Sequence, residues 1–185
     1  FACHEPLVEY IKSGVITGIS VNYISPGPVA KAIAKGLLSK PAVFRSHGGR
    51  PRAIETGELH IDISFIAASC ADDYGNAKGT GGKNNCGAMG YAVADSHYAD
   101  HVVVVTDTLI PFPNMPSPIS SIDVDAVVVV DEIGDPTKIG TKEARITQDP
   151  RNLMMAENAA KVIAATPYFK DGFSFQTGVG GPSLA

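Results

Sequence analysis

The stretch Ile61-Asp-Ile-Ser-Phe-Ile-Ala-Ala68, separated by three residues from the glycine-rich segment 72–91, decides the fold. Residues 61–68 form a short, largely apolar run that is typical of a buried β-strand. Glycine is costly inside helices and strands, so its density in 72–91 predicts a loop with positive φ angles or close backbone contacts. Because ligands of open α/β sheets bind beyond the carboxyl ends of strands, this loop is the first candidate binding site.

Two familiar phosphate-binding motifs do not fit this loop. A P-loop anchored on Gly82-Lys83 would need glycine at Ala77 and serine or threonine at Asn84. A dinucleotide fingerprint that begins at Gly79 would also need glycine at Asn84. The loop therefore matches neither nucleotide motif, and a mobile surface loop is the alternative to a binding site.

Composition bounds the remaining possibilities. The chain has 185 residues and a net charge of −4, which predicts one domain with a real core and argues against nucleic acid as the partner. No apolar run approaches the length of a membrane span, so no membrane partner is expected. The 3 cysteines have no close spacing, which indicates a reducing, cytoplasmic setting.

Short apolar strands alternate with helices along the chain. This order predicts an α/β fold with an open, largely parallel sheet and flanking helices. The predicted strands are 15–23, 42–47, 61–68, 102–106, 126–131 and a final short one at 173–175. The predicted helices are 6–12, one opened by Pro28 with Val29, Ile33 and Leu37 on one face, a weak one over 87–100, and one beginning at Asp149-Pro150 with a buried stripe of Leu153, Ala156, Ala160 and Ile163.

Two further turns combine glycine with polar groups. Ser46-His47-Gly48-Gly49-Arg50 follows a predicted strand and offers backbone amides beside a guanidinium, which suits a carboxylate or a phosphate. A turn with a solvated arginine is the alternative there. The second turn, 178–181, contains three glycines whose amides could hold an oxyanion or a phosphate.

Other reactive side chains are less promising. His97 and His101 would share one face of a helix, but no zinc motif or ligand set completes them, so no metal site is predicted. Cys86 is interpreted as a small buried thiol rather than a nucleophile. Glu55 and Glu58 are the two glutamates worth testing as nucleophiles, although a structural role is favoured for both.

Six motifs in a fixed order carry a resemblance to a known family. They are SHGGR (46–50), TGELHIDI (56–63), DDYGNA (72–77), GKNNCG (82–87), the segment 131–140 ending in KIG, and YFKDGFSFQTGVGG (168–181). Together they make the chain similar to the alpha subunit family of citrate lyase, a citrate CoA-transferase within the wider coenzyme A transferases. Lys78 departs from the pattern, because a small polar residue is expected at that position.

The resemblance implies a fold and an activity. The fold would be CoA-transferase-like, and the reaction would exchange acetyl for citrate on a thioester, giving a citryl thioester and acetate. CoA, or a CoA-like group on an acyl carrier protein, would serve as co-substrate, with no covalently bound cofactor. A beta subunit that cleaves the citryl group would be the second partner, and an oligomeric assembly is expected.

The resemblance also implies that catalysis needs residues beyond this sequence. Residues 1–185 are expected to form one α/β domain of a longer two-domain subunit, with 173–185 beginning the connection to the second half. The attacking glutamate would lie beyond Ala185, so no catalytic residue is predicted within the chain, and the chain alone would be inactive.

Charge predicts which residues would contact citrate, since citrate carries three carboxylates that need cations or amides. The predicted citrate-binding residues are Arg50 and Lys83 as cations, Ser46, His47, Gly48 and Gly49 as donors, and Asn76 as a residue that shapes the pocket. The predicted contacts of the acyl group or CoA are Gly75, Gly178, Gly180 and Gly181. Two alternatives remain open: a sugar-phosphate isomerase on a related sheet, and a non-catalytic domain that assembles the partner subunits.

Overall fold

The computed structural model describes residues 5–24, 26–136 and 147–176, together with Ser183 and Ala185. No helix in these ranges is long and apolar enough to cross a bilayer. The helices are α1 (Leu7–Lys12), α2 (Pro28–Ala34), α3 (Gly49–Glu55), α4 (Tyr91–Tyr98) and α5 (Pro150–Ala164), with a 3-10 turn at Ser121–Asp123. The strands are β1 (Ile19–Val21), β2 (Ala42–Phe44), β3 (Ile63–Ala68), β4 (Cys70–Ala71), β5 (Ala77–Lys78), β6 (His101–Thr106) and β7 (Ala126–Val129).

The central sheet is parallel and has the strand order β3-β6-β7. Ile63 pairs with His101, and Val103 pairs with Ala126, so all three carboxyl ends lie at one edge. Strands β1 and β2 form a second parallel pair, whereas β4 and β5 are antiparallel. The predicted α/β class with largely parallel strands is confirmed, although the described strands form three hydrogen-bonded groups.

The main core lies against one face of the central sheet. Ile66, Val102 and Val104 are almost fully buried there, together with Ile119 from the connection that leads to β7. The expectation that 61–68 is a fully buried strand is wrong. The strand begins at Ile63 and alternates, because Phe65 points to the other face and is 73% exposed.

A second core joins α1, α2 and β1. Ile11, Ile19, Val29 and Ala32 are buried in it. Pro28 is at the first turn of α2, where its missing amide hydrogen costs nothing. The helix ends at Ala34, so the predicted stripe is only partly buried.

Three local expectations need correction. Helix α5 begins as predicted, with the Asp149 carboxylate accepting from the Arg151 amide at 2.8 Å. Its predicted buried stripe is wrong, because none of its residues is buried and Leu153 is 40% exposed. The weak helix predicted over 87–100 is shorter and covers Tyr91–Tyr98. His101 begins strand β6, so it does not share a helix face with His97. Residues 173–175 form no strand.

The alternation in β3 yields a first prediction. Ile66→Ala should lower the free energy of unfolding by about 2–5 kcal/mol, because it leaves a cavity in the core. The neighbouring Phe65→Ala should change it by about 0.5 kcal/mol or less, because that side chain is exposed. Urea denaturation of both variants checks this. A larger loss for Phe65→Ala would show that this face is covered in solution.

Candidate functional site

The candidate site is the edge where the central strands end. The loops after β3, β6 and β7 start from this edge at residues 69, 107 and 130. They include the glycine-rich segment 72–91 and the proline-rich segment 110–118. Parallel pairing therefore gathers at one edge the polar loops that are scattered in the sequence.

Asp72 organises this edge. Its carboxylate is fully buried and accepts four hydrogen bonds. One oxygen accepts from the amides of Tyr74 and Asn76, both at 3.0 Å. The other accepts from the Asn76 side chain and the Asn114 amide, both at 2.8 Å. A single carboxylate thus ties the turn 72–76 to the proline-rich segment.

The ionised form of Asp72 is favoured by these contacts. Burial alone would raise the pKa of this carboxyl group, but the hydrogen bonds from Asn114, Asn76 and Tyr74 outweigh burial and hold the pKa below its ordinary value. A buried carboxylate that accepts four hydrogen bonds from two separate segments is a structural anchor.

Asn76 and Gly75 take part in the same turn. The Asn76 side-chain oxygen accepts from the Ser121 amide at 3.1 Å, and its backbone oxygen accepts from the Asn114 side chain at 2.9 Å. Gly75 has φ +100°, and a Cβ there would lie 2.7 Å from Val124. Both predicted site residues are buried, so their described contacts shape the edge from within.

The loop 79–90 is folded tightly on itself and on β3. The Gly82 amide donates to the Ser69 hydroxyl at 3.0 Å. A Cβ at Gly82 would lie 1.7 Å from the Ser69 carbonyl oxygen, and one at Gly79 would lie 2.0 Å from the Gly87 carbonyl oxygen. Close backbone approach therefore explains these two glycines, as predicted from their density. These contacts hold the loop in one defined conformation.

Asp107 fixes the same loop to the end of β6. Its carboxylate accepts from the Asn84 side chain at 2.6 Å, from the Thr108 hydroxyl at 2.9 Å and from the Ile133 amide at 3.3 Å. Burial would raise the pKa of Asp107, but these hydrogen bonds and the charge of Lys83 lower it. Lys83 itself has an exposed side chain. The loop therefore presents a cation on a backbone that the hydrogen bond between Asn84 and Asp107 keeps in place.

The segment 46–50 starts helix α3 and contacts helix α4. The His47 ring lies 4.9 Å from the Tyr91 ring, and its Nδ1 atom is within hydrogen-bond distance, 3.0 Å, of the side-chain Nδ2 atom of Asn22. The Arg50 guanidinium is 2.9 Å from Asp95 and stacks 5.4 Å from the centroid of the Tyr91 ring. Arg50 is therefore already paired, whereas its prediction as a citrate ligand assumed a free cation.

The remaining predicted donors of this segment are at least partly exposed to solvent. Ser46, His47 and Gly48 are exposed, and Gly49 is half-buried. The Ser46 hydroxyl accepts from the Gly49 amide at 3.0 Å, which closes the turn. Since Tyr91 directly follows the loop 79–90, it connects the two predicted binding segments.

Several predicted residues stay apart from this arrangement. Gly178, Gly180 and Gly181 lie outside the described residues. Glu58 accepts from Arg45 at 2.7 Å and from Arg52 at 3.2 Å, and the Arg45 hydrogen bond is the main reason that its pKa is lowered. Cys86 is exposed, so the prediction of a buried thiol is wrong.

An open groove lies beside the Asp72 turn. It has a volume of about 440 Å³ and is lined by Asp73 and the run 109–112. The rings of Tyr74 and Phe112 pack 4.8 Å apart next to it. The edge therefore offers an apolar surface next to its polar loops.

Sequence reasoning missed the partners that fix these loops. Asp95, Asp107 and Asn114 are each distant in sequence from the group they hold, so no local spacing marks them. Tyr91 could have been noticed as the aromatic residue that ends the glycine-rich loop.

Solved structures share this fold. The alpha subunit of a malonate decarboxylase from Acinetobacter baumannii has a TM-score of 0.63 over 87% of this chain and 29% of that one, at 19% identity, which shows the fold alone. A citrate lyase alpha subunit from Streptococcus mutans, solved in complex with citrate, has a TM-score of 0.88 and 54% identity over 98% of this chain and 35% of that one.

Sequence comparison names the family. Residues 1–185 match the family described as citrate lyase, alpha subunit, and the chain belongs to that family. It is 47% identical over 183 residues to the citrate lyase alpha chain of Escherichia coli (strain K12), covering 99% of this chain and 36% of the relative. The Klebsiella pneumoniae alpha chain is 46% identical over 182 residues, with 98% and 36% covered. The chain therefore spans about a third of the length of these relatives.

The buried carboxylate gives a prediction on stability. Asp72→Asn should lower the free energy of unfolding at pH 7 by about 2–3 kcal/mol. The variant replaces one carboxylate oxygen by an NH₂ group, which cannot accept the two hydrogen bonds that this oxygen received. A lowered pKa contributes stability above the unfolded-state pKa, about 3.9, and that contribution is lost as pH falls through the folded-state pKa. The gap between variant and wild type should therefore narrow towards pH 3.

Urea denaturation at pH 7 and pH 3 measures both effects. The exposed neighbour Asp73→Asn is the control and should stay within about 0.5 kcal/mol of wild type. Equal stability of the two variants at pH 7 would contradict the anchoring role of Asp72.

Proposed function

We propose that the chain is the substrate-binding portion of a citrate CoA-transferase, which exchanges acetyl for citrate on a thioester as the alpha subunit of citrate lyase. One observation carries the proposal: the chain matches a citrate lyase alpha subunit solved with citrate at TM-score 0.88 and 54% identity. The loop edge described above supports it, because it supplies amides and a cation where strands end.

The proposed reaction needs a nucleophile besides these loops. In this class a glutamate carboxylate attacks the acetyl thioester, which gives a mixed anhydride and releases the thiolate. The thiolate then attacks the glutamyl carbonyl and displaces acetate, which leaves a glutamyl thioester. A citrate carboxylate attacks this thioester in turn, and the released thiolate attacks the citryl carbonyl of the new anhydride, which gives the citryl thioester and the free glutamate. We place that glutamate outside 1–185. Among the described glutamates, Glu58 is held by two arginines, and Glu132 is the one that follows a central strand at the loop edge.

Citrate would be held by charge and by backbone amides. Lys83 is the preferred contact, because its side chain is exposed on a loop fixed by Ser69 and Asp107. Arg50 keeps a role, since a guanidinium has five N–H donors and Asp95 occupies only part of them. Ser46, His47 and the amides of 48–49 would complete the donors.

The thioester would occupy the same edge. We assign its apolar arm to the groove lined by Asp73 and the run 109–112, and its acyl end to Gly75 and the turn 178–181. The thiol would belong to CoA or to a CoA-like group on an acyl carrier protein, with a beta subunit as the further partner. A cytoplasmic location stays part of this proposal.

An assembly role is the second candidate. The free face of the central sheet exposes Ile63, Phe65 and Val128 by 52%, 73% and 43%. Exposed apolar surface of this kind is typical of contacts between protein segments. The two roles are compatible, because a subunit can both bind substrate and dock partners.

Citrate recognition gives the third prediction. In the full-length subunit, Lys83→Met should raise the KM for citrate at least about tenfold, because one charge-assisted contact with a carboxylate is lost. The KM for acetyl-CoA should change less. Steady-state kinetics with each substrate varied in turn measures this, and Lys78→Met on the same segment is the matched control.

Arg50 is tested in the same assay against Arg52→Ala, which removes an exposed guanidinium that pairs with Glu58. Arg50→Ala should weaken citrate more than acetyl-CoA, and Arg52→Ala should affect neither. If neither Lys83→Met nor Arg50→Ala altered citrate kinetics, citrate would have to bind elsewhere.

The location of the nucleophile gives the fourth prediction. Purified 1–185, incubated with acetyl-CoA and citrate, should form no citryl-CoA above background, as measured by mass spectrometry. Citryl-CoA formation by 1–185 alone would contradict the placement of the glutamate outside these residues. Glu132→Gln would then show whether the glutamate after β7 carries the reaction, with Glu157→Gln on α5 as the control.

A further inference from the structure

Three metal-binding side chains meet at the opposite, amino-terminal edge of the central sheet. The His60 Nε2 atom lies 3.0 Å from the Asp100 Oδ2 atom and 3.7 Å from the Asp62 Oδ1 atom. The ligand atoms of the three side chains all lie within 4.8 Å of one another. They come from the segments that lead into β3 and β6.

Backbone pairing brings these two segments together. The Asp100 amide donates to the Ile61 carbonyl oxygen, and the His101 amide donates to the Asp62 carbonyl oxygen, both at 3.0 Å. The cluster is therefore set by the register of the parallel sheet, which continues into the first pair of β3 and β6. Its side chains are exposed, so an ion can reach it from solvent.

The donor set fits a divalent transition metal ion. Zinc binds imidazole nitrogen and carboxylate oxygen at about 2.0–2.2 Å, which separates neighbouring ligands in a tetrahedron by about 3.4 Å. The two distances from His60 lie close to that separation. Two carboxylates and a neutral imidazole also balance a charge of +2. An imidazole ligand favours zinc and its neighbours over magnesium, which prefers oxygen and water.

Other histidine–aspartate contacts at this end of the fold lack the third ligand. His97 lies 2.8 Å from Asp123, and His101 lies 3.6 Å from Asp125, each beside one carboxylate. Among the described residues, the group around His60 is the one cluster of three. We propose that His60, Asp62 and Asp100 form a binding site for Zn²⁺ or a similar divalent transition metal.

The position of the cluster indicates a structural role. Strands β3 and β6 have six residues each, so at about 3.3 Å per residue the cluster lies about 20 Å from the loop edge. A metal there is too far away to touch a substrate bound at that edge. The metal would instead link the segments before β3 and β6. Because it would bind the folded chain and not the unfolded chain, it would stabilise the folded state.

The site departs from the expectation drawn from the sequence. That expectation considered His97 and His101, which are four residues apart, and found no ligand set. The proposed ligands are separated by up to 40 residues along the chain, and only strand pairing joins them.

The test is titration of the purified, metal-free chain with ZnCl₂ in a calorimeter. We expect binding of one Zn²⁺ at this cluster, weakened at least tenfold by each of His60→Ala, Asp62→Asn and Asp100→Asn. His97→Ala, which removes an imidazole with a single carboxylate partner, should bind as wild type does. Mg²⁺ should bind far more weakly than Zn²⁺.

Two further measurements keep the result unambiguous. Because Asp62 has 88% of its side chain exposed, Asp62→Asn should fold normally, and Zn²⁺ should raise the melting temperature of wild type but not of this variant. Co²⁺ bound at the cluster should give a spectrum without a thiolate charge-transfer band, which separates it from binding at exposed Cys86. Unchanged Zn²⁺ affinity in all three cluster variants, or no binding by wild type, would overturn the proposal.

Discussion

The buried carboxylate of Asp72 is the constraint on which the loop edge depends. Four donors from Tyr74, Asn76 and Asn114 surround it, so the turn after β4 and the proline-rich segment cannot move independently. An ionised group without water must have its lone pairs satisfied, and here the backbone supplies most of the partners. The turn 72–76 and the groove beside it, both of which the proposal assigns to the thioester, rest on this fixed base.

The glycine-rich loop extends that base outward by close packing. Gly82 lies against the Ser69 backbone so tightly that no side chain fits, and Asn84 is held by the Asp107 carboxylate. Buried anions and close backbone contacts thus fix a loop that carries few apolar side chains of its own. The exposed side chains of the loop include Lys83, and Tyr91 at its end contacts both His47 and Arg50.

The sequence predicted local features better than distant ones. Helix α5 and its Asp149 cap, the parallel strands and the close approach at Gly79 and Gly82 follow from spacing and residue type. The pairing of Arg50 with Asp95 does not, because 45 residues separate the two side chains along the chain. For the same reason Arg50 looked like a free cation in the sequence, although the fold gives it a carboxylate and an aromatic ring.

Burial was the property most often predicted wrongly, and Phe65 and Leu153 show why. A periodic apolar pattern establishes that one face of an element is hydrophobic, but burial also requires another element to cover that face. Phe65 lies on the uncovered face of β3, and α5 buries none of its residues. Relatives in the family are about three times as long as this chain, so they contain further residues that could cover such faces. The two edges of the sheet need no such cover, because strand register alone places the glycine-rich and proline-rich loops at one and His60 with its two aspartates at the other.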